Sequence, residues 1–373
     1  VPPLRFPEFT EEWKAEQLDN IATLSKGIGI SKEQLSEDGE PCILYGELYT
    51  KYKSEIIKQV ESKTDINGSK LKRSKANDVI IPCSGETAVD IATARCVPFD
   101  NILFGGDLNV ISLHQYDGAF MSYQLNGKRK YDIARVAQGV SIVYLYGEHL
   151  KAIKTYNPTL PEQQKIAKLL SLLDDRIDTQ NKIIEDLKKL KSAISERLFK
   201  SVKGFTVLLS DLCDIVKGKQ INGENLSDSG NYYVMNGGTE PSGYYDNYNV
   251  EASTISISEG GNSCGYVQFN TSPFWSGGHC YSIQNIADKV DNMYLYHYLK
   301  SNEDAIMKLR IGSGLPNIQK KDLAMFKIIV PKIEWQIKIS TFLSSLERKA
   351  EIEERIQNVM QKQKLYLLQQ MFI

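Results

Sequence analysis

An internal repeat constrains this chain more than any other feature. With Pro158 set on Pro331, two long segments run in register to Phe199 and Phe372 without a gap, at a constant offset of about 173 residues. Gln163 falls on Gln336, Lys165 on Lys338, Ile166 on Ile339, Leu170 on Leu343, Leu173 on Leu346, Ile183 on Ile356 and Lys191 on Lys364. Upstream, Gly139, Ser141, Leu145, Leu150 and Lys154 fall on Gly312, Gly314, Ile318, Leu323 and Lys327. A duplicated chain implies two equivalent binding surfaces related by a pseudo-two-fold axis.

The repeated segments are helical in pattern. Thr159 with Glu162 three positions on reads as a capping box, and Pro161 sits in the first turn, where its missing amide hydrogen costs nothing. Leu170, Leu173, Ile177, Gln180, Ile184, Leu187, Lys191, Ile194 and Leu198 keep the 3-4 spacing of a coiled-coil seam. The second seam is Leu343, Leu346, Ala350, Glu353, Gln357, Met360, Lys364, Leu367 and Met371, more polar in its middle. Antiparallel packing of the two helices is the simplest closure, and about 38 residues at a 1.5 Å rise predict a rod of roughly 57 Å.

Between the helices lie mixed globules. Ile43–Tyr45, Asp78–Ile81 and Asn109–Ser112 read as strands; Thr254–Ser258, the turn Glu259–Asn262 and Gly265–Phe269 read as a hairpin. A short helical turn, Gln17–Ala22, leads to Lys26-Gly27, and its counterpart Leu209–Ile215 leads to Lys217-Gly218. The expected fold is α/β (α+β): globules over 1–154 and 204–329, and long antiparallel coiled-coil helices over 155–203 and 330–373.

Composition is that of an ordinary globular protein, with 42% hydrophobic and 24% charged residues. The formal net charge of -1 argues mildly against a nucleic-acid partner, yet Asp174, Asp175, Asp178, Glu347, Glu351 and Glu354 concentrate acid in the helices and leave room for basic surfaces elsewhere. Six scattered cysteines form no CxxC pair, and no metal site is expected. Val1–Phe9 lacks the apolar core of a signal peptide, and no apolar run reaches about 18 residues. A cytoplasmic protein is expected.

Gly312-Ser313-Gly314-Leu315-Pro316-Asn317-Ile318 is followed by Lys321-Asp322-Leu323 and by Ile328-Ile329-Val330-Pro331 leading into a long helix, and by these marks the chain resembles the specificity subunit of type I restriction-modification systems. Leu160-Pro161-Glu162-Gln163-Gln164-Lys165-Ile166-Ala167 and the opening Leu4-Arg5-Phe6-Pro7-Glu8-Phe9 with Trp13 add to them. Two departures stand out: Gly139-Val140-Ser141-Ile142-Val143-Tyr144 replaces the glycine-rich motif in the first copy, and Trp335 replaces the expected glutamate before Gln336. The resemblance implies that each globule is a target recognition domain reading one half of a split DNA sequence. It implies that the helices set the gap and dock two methyltransferase subunits, with S-adenosylmethionine bound by those partners and no cofactor in this chain. A motor-nuclease subunit can join such complexes.

Enzyme signatures are few. No Asn/Asp-Pro-Pro-Tyr/Phe string is present for adenine methylation, Asn157-Pro158-Thr159 reads as a pre-helix turn, and Gly312-Ser313-Gly314 lacks the rest of a phosphate loop. His114, His149, His279 and His297 are scattered packing or surface residues. No catalytic residue is expected.

For DNA contact, amides suit adenine while Lys and Arg suit guanine or phosphate. The candidates in the first globule are Lys26, Lys70, Lys72, Arg73, Ser84, Thr87, Lys128, Arg129 and Lys130. In the second they are Lys217, Lys219, Gln220, Asn236, Thr239, Ser258, Asn262, Ser313 and Asn317. Tyr244, Tyr245 and Tyr248 suit either stacking on DNA or ordinary packing, and Gly105-Gly106 with Gly277-Gly278 mark a shared turn. Leu169, Leu172, Ile183, Leu190, Phe342, Ile352, Ile356, Val359, Leu365 and Tyr366 widen the helices' apolar face beyond a two-helix seam and are the partner-binding candidates. Because the globules differ while the helices agree, an asymmetric target is expected. The alternative is a coiled-coil scaffold whose globules bind protein; an autonomous methyltransferase is disfavoured by the missing string.

Overall fold

The computed structural model describes residues 1–312, 314 and 316–373. They form two compact units, Val1–Asn181 with Arg355–Ile373, and Lys182–Glu354. In the first, β1 (Lys14–Gln17), β2 (Ala22–Lys26), β3 (Asp78–Pro82), β4 (Arg95–Val97) and β5 (Leu108–Leu113) precede α1 (Gly118–Asn126) and β6 (Lys154–Asn157). Helix α2 (Leu160–Ser201) follows, giving its first half to this unit and its second to the other. The second unit repeats the series: β7 (Phe205–Leu208), β8 (Asp214–Lys217), β9 (Thr254–Ser258), β10 (Val267–Asn270), β11 (Cys280–Gln284), α3 (Asn292–Ser301) and β12 (Lys327–Val330). Helix α4 (Ile333–Gln370) starts in the second unit and ends in the first.

The two sheets have one topology. The order is β2-β5-β3-β4 in the first unit and β8-β11-β9-β10 in the second, antiparallel throughout, while β1 pairs β6 and β7 pairs β12. Strand β3 reads as an unbroken apolar run because both of its faces are covered. Val79 and Ile81 join Ile111, Met121 and Leu125 on the α1 side, whereas Ile80 joins Val110, Leu108 and Phe104 on the other. In β9 the same alternation puts Ile255 and Ile257 into the core around Tyr294 and Leu295. It turns Ser256 and Ser258 the other way, where Ser256 Oγ accepts from Asn270 Nδ2 at 2.9 Å. A smaller sheet completes each unit, centred on Glu40–Ile43 in the first and Tyr232–Met235 in the second.

Several expected elements shift. Of Ile43–Tyr45 only Ile43 is in a strand; Leu44 and Tyr45 open a turn that Glu47 holds by accepting from Leu44 N at 2.9 Å. The hairpin's second strand starts at Val267 because Gly265, at φ +93, donates to Ser258 O and prolongs the turn. Glu162 does not close a capping box. Its oxygens accept two bonds from Arg5, both at 2.7 Å, and one from Trp13 Nε1 at 3.3 Å, tying the N-terminal leader to α2.

Within each unit the halves of α2 and α4 pack antiparallel. In the first, Lys364 meets Asp174 and Gln357 meets Asn181; in the second, Lys191 meets Glu347 and Lys188 meets Glu354. Every residue of the two seams is buried or half-buried. All ten outward apolar residues, from Leu169 at 37% to Val359 at 64% exposed, face solvent within their own units. Among the described residues, no helix is long and apolar enough to cross a membrane, and the six cysteines are buried free thiols.

Candidate nucleic-acid interface

In each unit three strand ends converge at one edge of the sheet. Lys26 ends β2, Pro82 ends β3 and Leu108 begins β5; in the second unit Lys217 ends β8, Ser258 ends β9 and Cys280 begins β11. These ends and the loops leaving them hold Lys26, Ser84 and Thr87 in the first unit and Lys217, Lys219, Gln220, Ser258 and Asn262 in the second. They are gathered by a backbone contact that only glycine permits. A Cβ on Gly27 would lie 1.9 Å from Gly105 O, and one on Gly218 would lie 2.2 Å from Gly277 O. The paired glycines are thus the shared turn, packed against the Lys-Gly step of each copy.

A second closure is also common to both units. Gln138 and Tyr144 exchange backbone hydrogen bonds, and Leu145 N donates to Cys83 O; Ile311 and Asn317 exchange the same pair, and Ile318 N donates to Glu259 O. Gly139 at φ +116 and Gly312 at φ +94 turn the two loops. The divergent first-copy segment therefore builds the same loop closure as the glycine-rich motif, with different side chains at its tip. Val140 is 96% exposed and Ile142 55%. Ser313, a DNA candidate, lies outside the described residues, as does Leu315.

In the second unit Lys217 pairs with Glu259 at 2.6 Å, and Asn236 Oδ1 accepts from His279 N at 3.1 Å. A Cβ on Gly278 would lie 2.3 Å from Gln220 Oε1, and Asn317 bridges Gly260. Lys217, Gln220, Asn236 and Asn317 are thus brought together, while Lys219, Thr239 and Asn262 are exposed on the adjoining loops. Ser258 is corrected: strand alternation buries it, and its hydroxyl donates to Gly237 O at 2.6 Å, so it braces the loop from inside. Tyr245 packs edge-on against Trp275 and Tyr248 against Tyr232, ordinary aromatic packing.

In the first unit Lys26 Nζ stands 5.7 Å from the Tyr146 ring centroid, Tyr146 stacks on Tyr144, and Ser84 pairs with Tyr144. Beside them lies a cavity of about 730 Å³ lined by Tyr45, Tyr49, Ser84, Asp90, Thr93 and Arg95. Arg95 is buried and donates to Tyr52 O at 2.7 Å and Ala94 O at 2.9 Å; burial lowers its pKa from the ordinary arginine value. Thr87 is exposed but caps the helix Ala88–Ile91.

The basic candidates divide. Lys70 precedes an edge strand of the small sheet and is exposed, and Lys72 lies in that strand, half-buried, but the Arg73 guanidinium is held bidentately by Glu40 at 2.6 and 3.0 Å. Lys128, Arg129 and Lys130 follow the end of α1. Arg129 is a structural tie rather than a phosphate grip: it donates to Ile373 O at 3.0 Å, pairs with Asp132 and covers Tyr156. The residue that sequence reading missed is Glu259, taken there for a turn. Its paired counterpart in the first unit, Cys83, carries no charge, so no repeat signal exposed it.

A sequence profile described as the type I restriction modification DNA specificity domain matches residues 10–189 and 204–362. A protein of Mycoplasma genitalium named as a type I specificity subunit is 34% identical over 122 residues, covering 32% of this chain and 31% of its own length. A similarly named Mycoplasma pneumoniae protein is 32% identical over 38% of each chain, so the chain spans about a third of the length of both relatives. The Methanocaldococcus jannaschii MjaVIII specificity subunit is 24% identical over 97% of this chain and 91% of its own length. The crystal structure of a type I S subunit from M. genitalium shares the fold, with a TM-score of 0.70 at 19% identity, covering 100% of this chain and 99% of that one.

Proposed function

The chain belongs to the type I restriction-modification DNA specificity family, with two recognition domains, and from that premise we propose that it reads a split, asymmetric duplex target. Each unit contacts one half-site through its strand-end loops. The observation that carries this reading is the twofold construction of one loop cluster whose side chains differ beyond a shared lysine: Cys83 and Tyr146 beside Lys26 in the first unit, Glu259 and His279 beside Lys217 in the second. Equal frames with unequal contents suit two different half-sites. Loop lysines would meet phosphate while amides and tip residues read base edges.

The exposed apolar residues of α2 and α4 would dock two methyltransferase subunits. Those partners would bind S-adenosylmethionine and modify adenine, and a motor-nuclease subunit could join the assembly. The chain itself would supply recognition in the cytoplasm and no catalytic group. The test is co-expression with a type I modification subunit from the same host, followed by single-molecule mapping of methylated adenines. A split motif with a fixed gap supports the reading; complex formation without a methylation pattern favours the scaffold alternative.

A further inference from the structure

Glu259 is a buried acidic residue in the second unit's loop cluster. Its backbone is fixed from three sides: Glu259 N donates to His279 O at 2.9 Å, Ile318 N donates to Glu259 O at 2.8 Å, and Cys264 Sγ donates to the same oxygen at 2.9 Å. Its Oε1 accepts from Lys217 Nζ at 2.6 Å and Tyr281 OH at 3.2 Å. The other oxygen is different. Oε2 is buried and has no hydrogen-bond partner, with His279 Nδ1 at 3.8 Å and the His279 side chain 63% exposed. Glu259 as a whole is 8% exposed.

A buried carboxylate oxygen left without a donor is costly, and such an atom at a recognition surface is an acceptor waiting for a donor from outside. Resting on the DNA-recognition reading above, we infer that Glu259 Oε2 is a specificity-determining acceptor for the exocyclic amino group of one adenine or cytosine in the second unit's half-site. In the major groove those amino groups are the donors that a carboxylate recognises, whereas guanine N7 and O6 and thymine O4 would repel it. The base edge displaces the exposed imidazole of His279 and takes its place beside Oε2. Lys217 neutralises the charge, so the carboxylate stands beside phosphates without net repulsion. In the first unit the equivalent position is Cys83, whose thiol supplies no comparable acceptor, so this readout belongs to one half-site alone.

The test uses the complex of the full chain with its modification subunit, and duplexes carrying the mapped motif. Each adenine is replaced in turn by purine, which lacks N6, and each cytosine by 2-pyrimidinone, which lacks N4; the two sets distinguish adenine from cytosine. With the wild-type chain, one position in one half-site should lose about tenfold in affinity when its amino group is removed, and in Glu259→Gln that position should no longer discriminate. The thermal midpoint of the variant checks its fold, and the base-analogue arm needs no variant. The inference is overturned if no amino deletion weakens wild-type binding by more than about twofold, or if Glu259→Gln binds all duplexes more weakly by one common factor. If the wild-type complex yields no split motif, the recognition reading fails and this inference with it.

Discussion

The side chain of Gln336 accepts a hydrogen bond from the backbone amide of Asp291 at 2.8 Å, and Asp291 in turn caps α3 by accepting from Tyr294 N. The amide of Gln336 also donates to Pro331 O at 2.8 Å and Lys289 O at 3.0 Å, so one buried residue joins the start of α4 to the start of α3. Gln163 repeats the arrangement with Asp117 N at 2.9 Å and Pro158 O at 2.8 Å. Gln336→Ala strands a buried amide hydrogen and two carbonyls, with an expected loss of about 2–3 kcal/mol. Gln336→Glu should not rescue it, because a carboxylate cannot donate to Pro331 O. Urea unfolding of the two variants reads both effects.

Two Lys–acid–Tyr groups occupy equivalent positions, one buried and one about a quarter exposed, and they should respond unequally. Lys364 lies between Glu55 at 2.5 Å and Asp174 at 2.6 Å, with Tyr123 donating to Asp174; Lys191 pairs with Glu347, to which Tyr296 donates. Burial opposes the Lys364 charge, but Glu55 and Asp174 outweigh it and hold the pKa above the ordinary lysine value. A raised lysine pKa contributes stability that is fully present below the unfolded value and lost only as pH rises through the folded one, so neutral pH retains it. Lys364→Met leaves two buried carboxylates uncompensated and should cost about 3–5 kcal/mol. Lys191→Met should cost nearer ~1 kcal/mol, since both partners there are about a quarter exposed. Thermal melts of the two variants at pH 7 check the ranking.

Mild acid should weaken the second unit through His297. The ring is buried, bonded to Ser344 Oγ at 2.9 Å, and burial lowers its pKa to about 4, against opposition from Glu347. The unfolded chain therefore binds the proton first, and stability falls as pH drops from about 6.5 towards 4, by about 2 kcal/mol at pH 5. His297→Gln should flatten that slope. Unfolding midpoints between pH 7 and pH 5 would contradict the assignment if both proteins lost stability equally.

Charge placed on the outer helix faces should separate assembly from folding. Leu365 is 60% exposed and Tyr366 57%, so Leu365→Asp with Tyr366→Asp should shift stability by less than about 1 kcal/mol. The same pair should abolish co-purification with the modification subunit. Retained co-purification would remove these residues from the docking surface.

The repeat, the central strands at Asp78–Ile81 and Asn109–Ser112, and the division of the helices into seam and outer face were legible from residue spacing, because hydrophobic period reports burial directly. Leu170 and Leu172 differ by two positions, and the structure buries one and exposes the other. Long-range pairing was not legible. Glu162 looked like a capping residue until Arg5, far away in sequence, claimed both its oxygens. Arg129 looked like a loop cation until the chain's last residues packed beside it. Ser258 looked like a loop-edge hydroxyl, and only the small sheet covering its face turned it inward. Side-chain type indicates what a residue can do; the tertiary partner decides what it does.

The first unit takes in residues 355–373, so its core around Trp13, Phe120 and Leu170 is finished by Leu368, Met371 and Phe372. Synthesis runs the other way. The half of the chain that leaves the ribosome first is the half completed last, and until residue 372 emerges its aromatic groove lies open. The second unit, contiguous in sequence, can close while translation is still under way. Premature termination between residues 355 and 370 would thus cripple the N-terminal half, far from the break in sequence, and leave the second unit whole.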